Sequence, residues 1–224
     1  MTLSTESQAR EDICRVGKTL FDRGYVHATA GNISVKLDDG FLITPTDACL
    51  GFLDPSKLAK LDTNAVQISG EKASKTIALH ARIYSATAMF SSPAGCIIHT
   101  HSTHCVALTL PLPLPGSELI GALTPYFVMK VGHVPVIHYH RPGDPDAALE
   151  VASTIAQYGQ KGLPIRAVML PRLGPNVWAA GPMQAMAVLE ELEETAKLAC
   201  LRPDTAPLTN SQIDELRQTF GAIW

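Results

Sequence analysis

Two hydrophobic periods alternate along this chain, and that alternation confines it to a mixed α/β architecture. Ile13, Val16, Leu20 and Phe21 recur at helical spacing, and Gly24 stands where a helix C′ residue belongs. From Gly31 the period drops to two. Ile33, Val35 and Leu37 alternate with polar residues, Asp38-Asp39-Gly40 supplies a turn, and Phe41-Leu42-Ile43 returns. This is the pattern of a β-hairpin. A short strand over 58–62, a loop near Gly70, a helix over 75–90, a buried strand at Cys96-Ile97-Ile98 and a helix from Ser102 to the Pro111–Pro115 loop follow. Further on the pattern predicts a strand over 134–139, a turn at 142–145 that opens a helix over 146–158, and a helix over 182–201. Strands over 166–170 and 177–180 flank the turn Leu173-Gly174-Pro175-Asn176. Several strands follow tight turns, so the sheet is expected to be largely antiparallel. Glu190, Glu191, Glu193 and Glu194 read as the solvated face of the long helix, with Glu193 and Lys197 as an i,i+4 pair. Residues 1–202 are expected to form one domain and 203–224 a proline-opened linker with a short helix.

A chain of 224 residues that is 46% hydrophobic and 17% charged carries enough apolar surface for a full core. The net charge of -3, with no basic stripe, argues against nucleic acid and anionic membrane as partners. Five cysteines without a CxxC pair suit free thiols in a reducing compartment. The first residues show no basic and apolar signal region, and no apolar run approaches the roughly 18 residues of a membrane span, so a cytoplasmic location is expected.

Chemistry concentrates in Cys96-Ile-Ile-His99-Thr-His101-Ser-Thr-His104. If His99 and His101 extend the strand, both imidazoles project to one face, two residues apart, and can share one metal ion. His104 falls three residues on, placed to touch substrate or to support the site. The same spacing also fits two partly buried histidines at a strand end. Ala28-Thr29-Ala-Gly31-Asn32, with Thr44-Pro45-Thr46-Asp47, supplies small residues and amide or hydroxyl donors near turns, as a phosphate nest or an ordinary hairpin turn would. Lys72-Ala-Ser74-Lys75-Thr76 puts cations and hydroxyls at a helix start, fit for an anion or simply for a cap.

Taken in order, these stretches resemble the class II aldolase/adducin family. Thr29-Ala-Gly-Asn32, Leu42-Ile-Thr-Pro-Thr46, Ser74 beside Lys75, His80, His99-Thr-His101 with His104, Thr124-Pro-Tyr126 and Val168-Met-Leu-Pro-Arg-Leu173-Gly174-Pro carry the resemblance over residues 10–200. It implies a single α/β domain, a mostly antiparallel central sheet with helices on both faces, assembled as a homotetramer with sites between subunits. It implies one Zn2+ per subunit on His99 and His101, phosphate binding by Thr29, Asn32, Thr46 and Ser74, and Tyr126 as a proton donor across the subunit boundary. Two positions depart from the family pattern. Lys75 stands where the sugar-phosphate aldolases carry a glutamate, and Leu173 where a third zinc histidine is usual. His138 or His140 is a candidate to compensate, and His140 is taken as the third metal ligand.

The change at Lys75 bears on the reaction. Aldol cleavage removes a hydroxyl proton and calls for a base, which a lysine serves poorly. Decarboxylation of a β-keto acid needs no such base, and a lysine can hold the departing carboxylate or protonate the carbanion. Leu42–Gly51, Ser74-Lys-Thr76, His99–His104 and Tyr126–Gly132 are similar to the branch of the family that decarboxylates 3-oxo-tetronate 4-phosphates to dihydroxyacetone phosphate and CO2. A fuculose-phosphate-type aldolase and a metal-free adducin-like binding module are the alternatives.

Overall fold

The computed structural model describes residues 5–90, 92–111 and 116–224, so most of the expected Pro111–Pro115 loop lies outside the described residues. Among the described residues seven strands are present: β1 (Asn32–Leu37), β2 (Gly40–Ile43), β3 (Ala59–Leu61), β4 (Gln67–Ser69), β5 (Cys96–His99), β6 (Ala167–Leu170) and β7 (Gly174–Ala179). They form one sheet in the order β4-β3-β2-β1-β5-β7-β6, with every pairing antiparallel.

Strict alternation along the strands divides the core in two. Ile33, Val35, Leu42, Cys96, Ile98, Met169 and Val177 face α1 (Thr5–Asp22) and α5 (Pro182–Leu201). Phe41, Ile97, Val168 and Trp178 face the other way, against Ile83 and Tyr84 of α2 (Ile77–Thr87) and Val151 and Ile155 of α4 (Pro145–Gln160). The result is one α/β/α domain, as the resemblance implies. Helix α4 starts where the Pro-Gly-Asp-Pro turn predicts. Asp144 accepts from the amide of Asp146, and Pro145 occupies a first-turn position whose N–H would be unpaired anyway.

Two expectations fail. Residues 134–139 form no strand; only isolated bridges join Pro135 to Glu118 and Val136 to Met169. Pro135 has no N–H to give a ladder, and beyond Ile137 the chain turns to a side-chain partner instead. Glu193 is not on a solvated face. It is 3% exposed, and Lys197 pairs with Glu194. Leu189, Leu192, Glu193 and Ala196 all turn inward, so the buried stripe of α5 is wider than its apolar residues suggest.

The C-terminal segment packs onto the domain. Helix α6 (Asn210–Phe220) opens with a capping box of Thr209 and Gln212 and buries Ile213 against Ala122 and Val128. Trp224 stacks on His133 with ring centroids 4.5 Å apart and meets Phe127 edge-on at 5.8 Å. No helix among the described residues is long and apolar enough to cross a membrane.

Candidate metal and phosphate site

Strand β5 is paired on both sides, which puts its C-terminal end in the middle of the sheet. Asn32 of β1 opposes His99, and His99 opposes Asn176 of β7. Directly opposed residues share a face, so these three side chains form a polar row on the α2 side. All three are buried. The carbonyl oxygen of Asn32 and both polar atoms of Asn176 have no hydrogen-bond partner in the protein. A buried amide left unpaired is costly, so the row is built to receive something else.

His99 has the tautomer and charge state that a metal ligand would need. Its Nδ1 lies 2.9 Å from the carbonyl of Pro175 and donates to it, which leaves the lone pair on Nε2. Burial, and then the neighbouring His101, pushes its pKa down to about 4, so the ring is neutral. His101 is lowered as well, by burial first and His27 second. The two rings stand 5.1 Å apart, inclined at 67°. Two imidazoles sharing a tetrahedral zinc at about 2.0–2.1 Å place their ring centres about 5 Å apart, and the spacing of this pair matches that distance. Close backbone packing fixes this geometry. Gly31 passes so near β5 that a Cβ there would lie 2.8 Å from the His99 carbonyl oxygen, and one at Gly174 would lie 1.9 Å from that of Thr100.

Beside this pair, the bridge Pro45–Ala73 lays Thr46 next to the segment that ends in Ser74. The Thr46 amide donates to the Lys72 carbonyl (2.9 Å) and the Ser74 amide to that of Thr44 (3.2 Å). The Thr44 hydroxyl in turn accepts from the Ile33 amide at the start of β1. Asn32, Thr46 and Ser74 are thereby held on adjoining segments. Thr29 is exposed on the turn before β1. Lys75 is exposed, and the Ser74 hydroxyl pairs with that of Thr76.

The remaining expected residues sit on other elements. His104 opens α3 (Thr103–Leu108), and the carboxylate of Glu193 holds it. Oε1 accepts from the His104 amide (2.9 Å) and sits 2.8 Å from Nδ1, while Oε2 accepts from the Cys105 amide (3.0 Å). Tyr126 is 63% exposed at the start of a π-helical turn over Phe127–Val131. His140, expected as the third metal ligand, has a carboxylate partner. Its Nε2 lies 2.7 Å from Glu150 Oε2, and His138 Nδ1 lies 2.7 Å from Oε1 of the same carboxylate. Burial raises the pKa of Glu150, but the hydrogen bonds from His140 and His138 outweigh it and hold the carboxyl below its usual range. Among the described residues no three His, Cys, Asp or Glu side chains stand close enough together to hold an ion. Leu173 supplies no donor and packs against the apolar cluster on the α2/α4 side. Sequence reasoning missed three residues. His27, directly before the Thr29–Asn32 motif, contacts His101; Asn176 carries no motif; Glu193 is hidden in an acidic run.

Residues 11–200 match the family described as class II aldolase and adducin N-terminal domain. The chain belongs to the class II aldolase and adducin family. Members of this family are generally dependent on a divalent metal, which agrees with the His99–His101 pair. This class II aldolase-family chain is 50% identical to the 3-oxo-tetronate 4-phosphate decarboxylase of Cupriavidus necator over 99% of its own length and 100% of that protein's. It is 38% identical to the 3-oxo-tetronate 4-phosphate decarboxylase of Escherichia coli K12, over 95% and 96%. The crystal structure of YgbL from Escherichia coli superposes with a TM-score of 0.84 at 36% identity, covering 96% of this chain and 100% of that one.

Proposed function

We propose that this chain is a zinc-dependent, cytoplasmic, homotetrameric lyase that decarboxylates a 3-oxo-tetronate 4-phosphate to dihydroxyacetone phosphate and CO2. The observation that carries this reading is the His99–His101 pair, with His99 buried and His101 half-buried, beside the Asn32, Thr46 and Ser74 segments. Whole-length identity of 50% to a decarboxylase of that substrate supports it.

Thr29, Asn32, Thr46 and Ser74 would hold the phosphate and the adjoining oxygens, His99 and His101 the ion. A bound zinc supplies Lewis acidity at the 3-oxo group. The C1–C2 bond breaks, C1 leaves as CO2, its electron pair passes into the C3 carbonyl, and C2 then takes up a proton. Tyr126, exposed and reaching across a subunit boundary, is the proposed donor of that proton. Lys75 is exposed, and its ammonium suits the departing carboxylate better than it would serve as a base. His104, oriented by Glu193, presents Nε2 to the substrate.

A coupled assay on metal-analysed protein tests this, with a 3-oxo-tetronate 4-phosphate and fuculose 1-phosphate offered separately. Dihydroxyacetone phosphate and CO2 from the acid alone, abolished in His99→Ala, is the expected result. Turnover of fuculose phosphate instead would replace the decarboxylase with an aldolase. No turnover and no bound metal would leave a binding module.

A further inference from the structure

Eight histidines occur in the chain, and six of them have a hydrogen-bonding partner that fixes the ring. His104 is tied to Glu193, His133 to Glu118, and His138 and His140 to Glu150. His80 is tied to Ser34 and His99 to the Pro175 carbonyl. Among the described histidines only the rings of His27 and His101 take part in no hydrogen bond or ion pair, and these two stand edge to face with centroids 6.5 Å apart. His101 in turn stands 5.1 Å from His99.

We propose that His27 supplies the third imidazole to the ion held by His99 and His101, replacing the donor absent at Leu173. This rests on the metal-dependent reading of the site. Neutral imidazole is a preferred zinc donor, and three protein ligands with one open position is the pattern of a catalytic rather than a structural zinc. Measured from His101, the ring of His27 stands 6.5 Å away, beyond the roughly 5 Å spacing that a shared tetrahedral ion requires.

The chain on either side of that ring is held, so the approach would be made by the side chain. Tyr25 and Val26 are buried, and the Tyr25 hydroxyl donates to Glu194 at 2.9 Å. The Ala30 amide closes a turn onto the His27 carbonyl at 2.9 Å, and Asn32 is already in the sheet. The His27 side chain itself is exposed and can rotate about its two torsions. The other imidazoles have no such freedom, since each would first have to leave a carboxylate or a buried hydroxyl.

The full-length protein, stripped with a chelator, is titrated with Co2+ and, by competition, Zn2+. X-ray absorption counts the imidazoles on the bound ion, and thermal unfolding checks the fold of His27→Gln, His99→Gln and His140→Gln. Loss of an orienting partner alone weakens metal binding 10–100-fold, so loss of a direct ligand should weaken it at least about 100-fold. We expect that loss in His27→Gln, an imidazole count falling from three to two, and no change in His140→Gln. Unchanged affinity in His27→Gln overturns the proposal, and so does a tenfold loss with the imidazole count unaltered, which would make His27 only a support for His101. Wild-type protein that binds no ion, indistinguishable from His99→Gln, would sink the metal-dependent reading itself and the proposal with it.

Discussion

The imidazole of His104 rests on the carboxylate of Glu193, 89 positions further along the chain, with Nδ1 and Oε1 2.8 Å apart. The same carboxylate accepts two amides from the first turn of α3, so one buried side chain of α5 caps that helix and orients the histidine. Glu193→Gln keeps the shape but removes the charge and turns a donor toward N–H groups. Denaturant titration should show a loss of about 1–3 kcal/mol. KM for the phosphorylated substrate should rise as His104 loses its orientation, whereas Glu215→Gln, exposed on α6, should do neither.

Gly174→Ala tests the packing behind the metal pair. The added methyl carbon would sit 1.9 Å from the Thr100 carbonyl, at a φ of +138° that side chains rarely adopt. The segment Thr100–His101 must then move. Weakened metal binding together with a lowered Tm is the expected outcome. Gly143→Ala, where φ is also positive but a Cβ meets nothing within 4 Å, should lower stability by about 1 kcal/mol and leave metal binding unchanged.

Acid should destabilise the metal-free protein through His80. Burial, and then the nearby His99, pushes its pKa down to about 3, and its Nδ1 is bonded to the Ser34 hydroxyl. The unfolded chain takes a proton near pH 6.5 that the folded chain refuses. Stability is therefore complete above pH 6.5 and falls as pH drops toward 3, by about 1.4 kcal/mol per unit for this one group. Chemical unfolding from pH 8 to 4 should show a slope that is shallower by about that amount in His80→Gln. Equal slopes in the two proteins would refute the assignment.

Trp224→Ala tests whether the C-terminus supports the π-turn next to Tyr126. Trp224 packs on Phe127 and His133, so its loss should loosen that turn. A several-fold drop in kcat is expected at unchanged metal content, non-additive with Tyr126→Phe. Additive losses would mean that the two residues act separately.

The framework was legible because its signals are local. Ile33, Val35 and Leu37 declare a strand within six residues, and Asp144-Pro145 declares a helix start within two. The expected strand over 134–139 failed although its apolar pattern is real, because Pro135 removes a ladder donor and Glu150 takes up the His138 amide. Glu193 was misread because its partners lie 88 and 89 residues away, although its place beside Leu189, Leu192 and Ala196 on a helical net was a usable sign. His27 and Asn176 gave no sign at all. Their significance comes from the register of β1, β5 and β7 and from one turn, which no spacing along the chain records.

Strand β5 has neighbours on both edges, so the sheet acts as a ruler for the histidine pair. Adding or deleting one residue ahead of His99 would turn every following side chain to the opposite face and break two ladders at once. The facing of His99 is thus locked to the pleat of three strands. A donor carried on a turn is under no such lock: it can be lost from one loop and regained from another while the sheet stays unchanged.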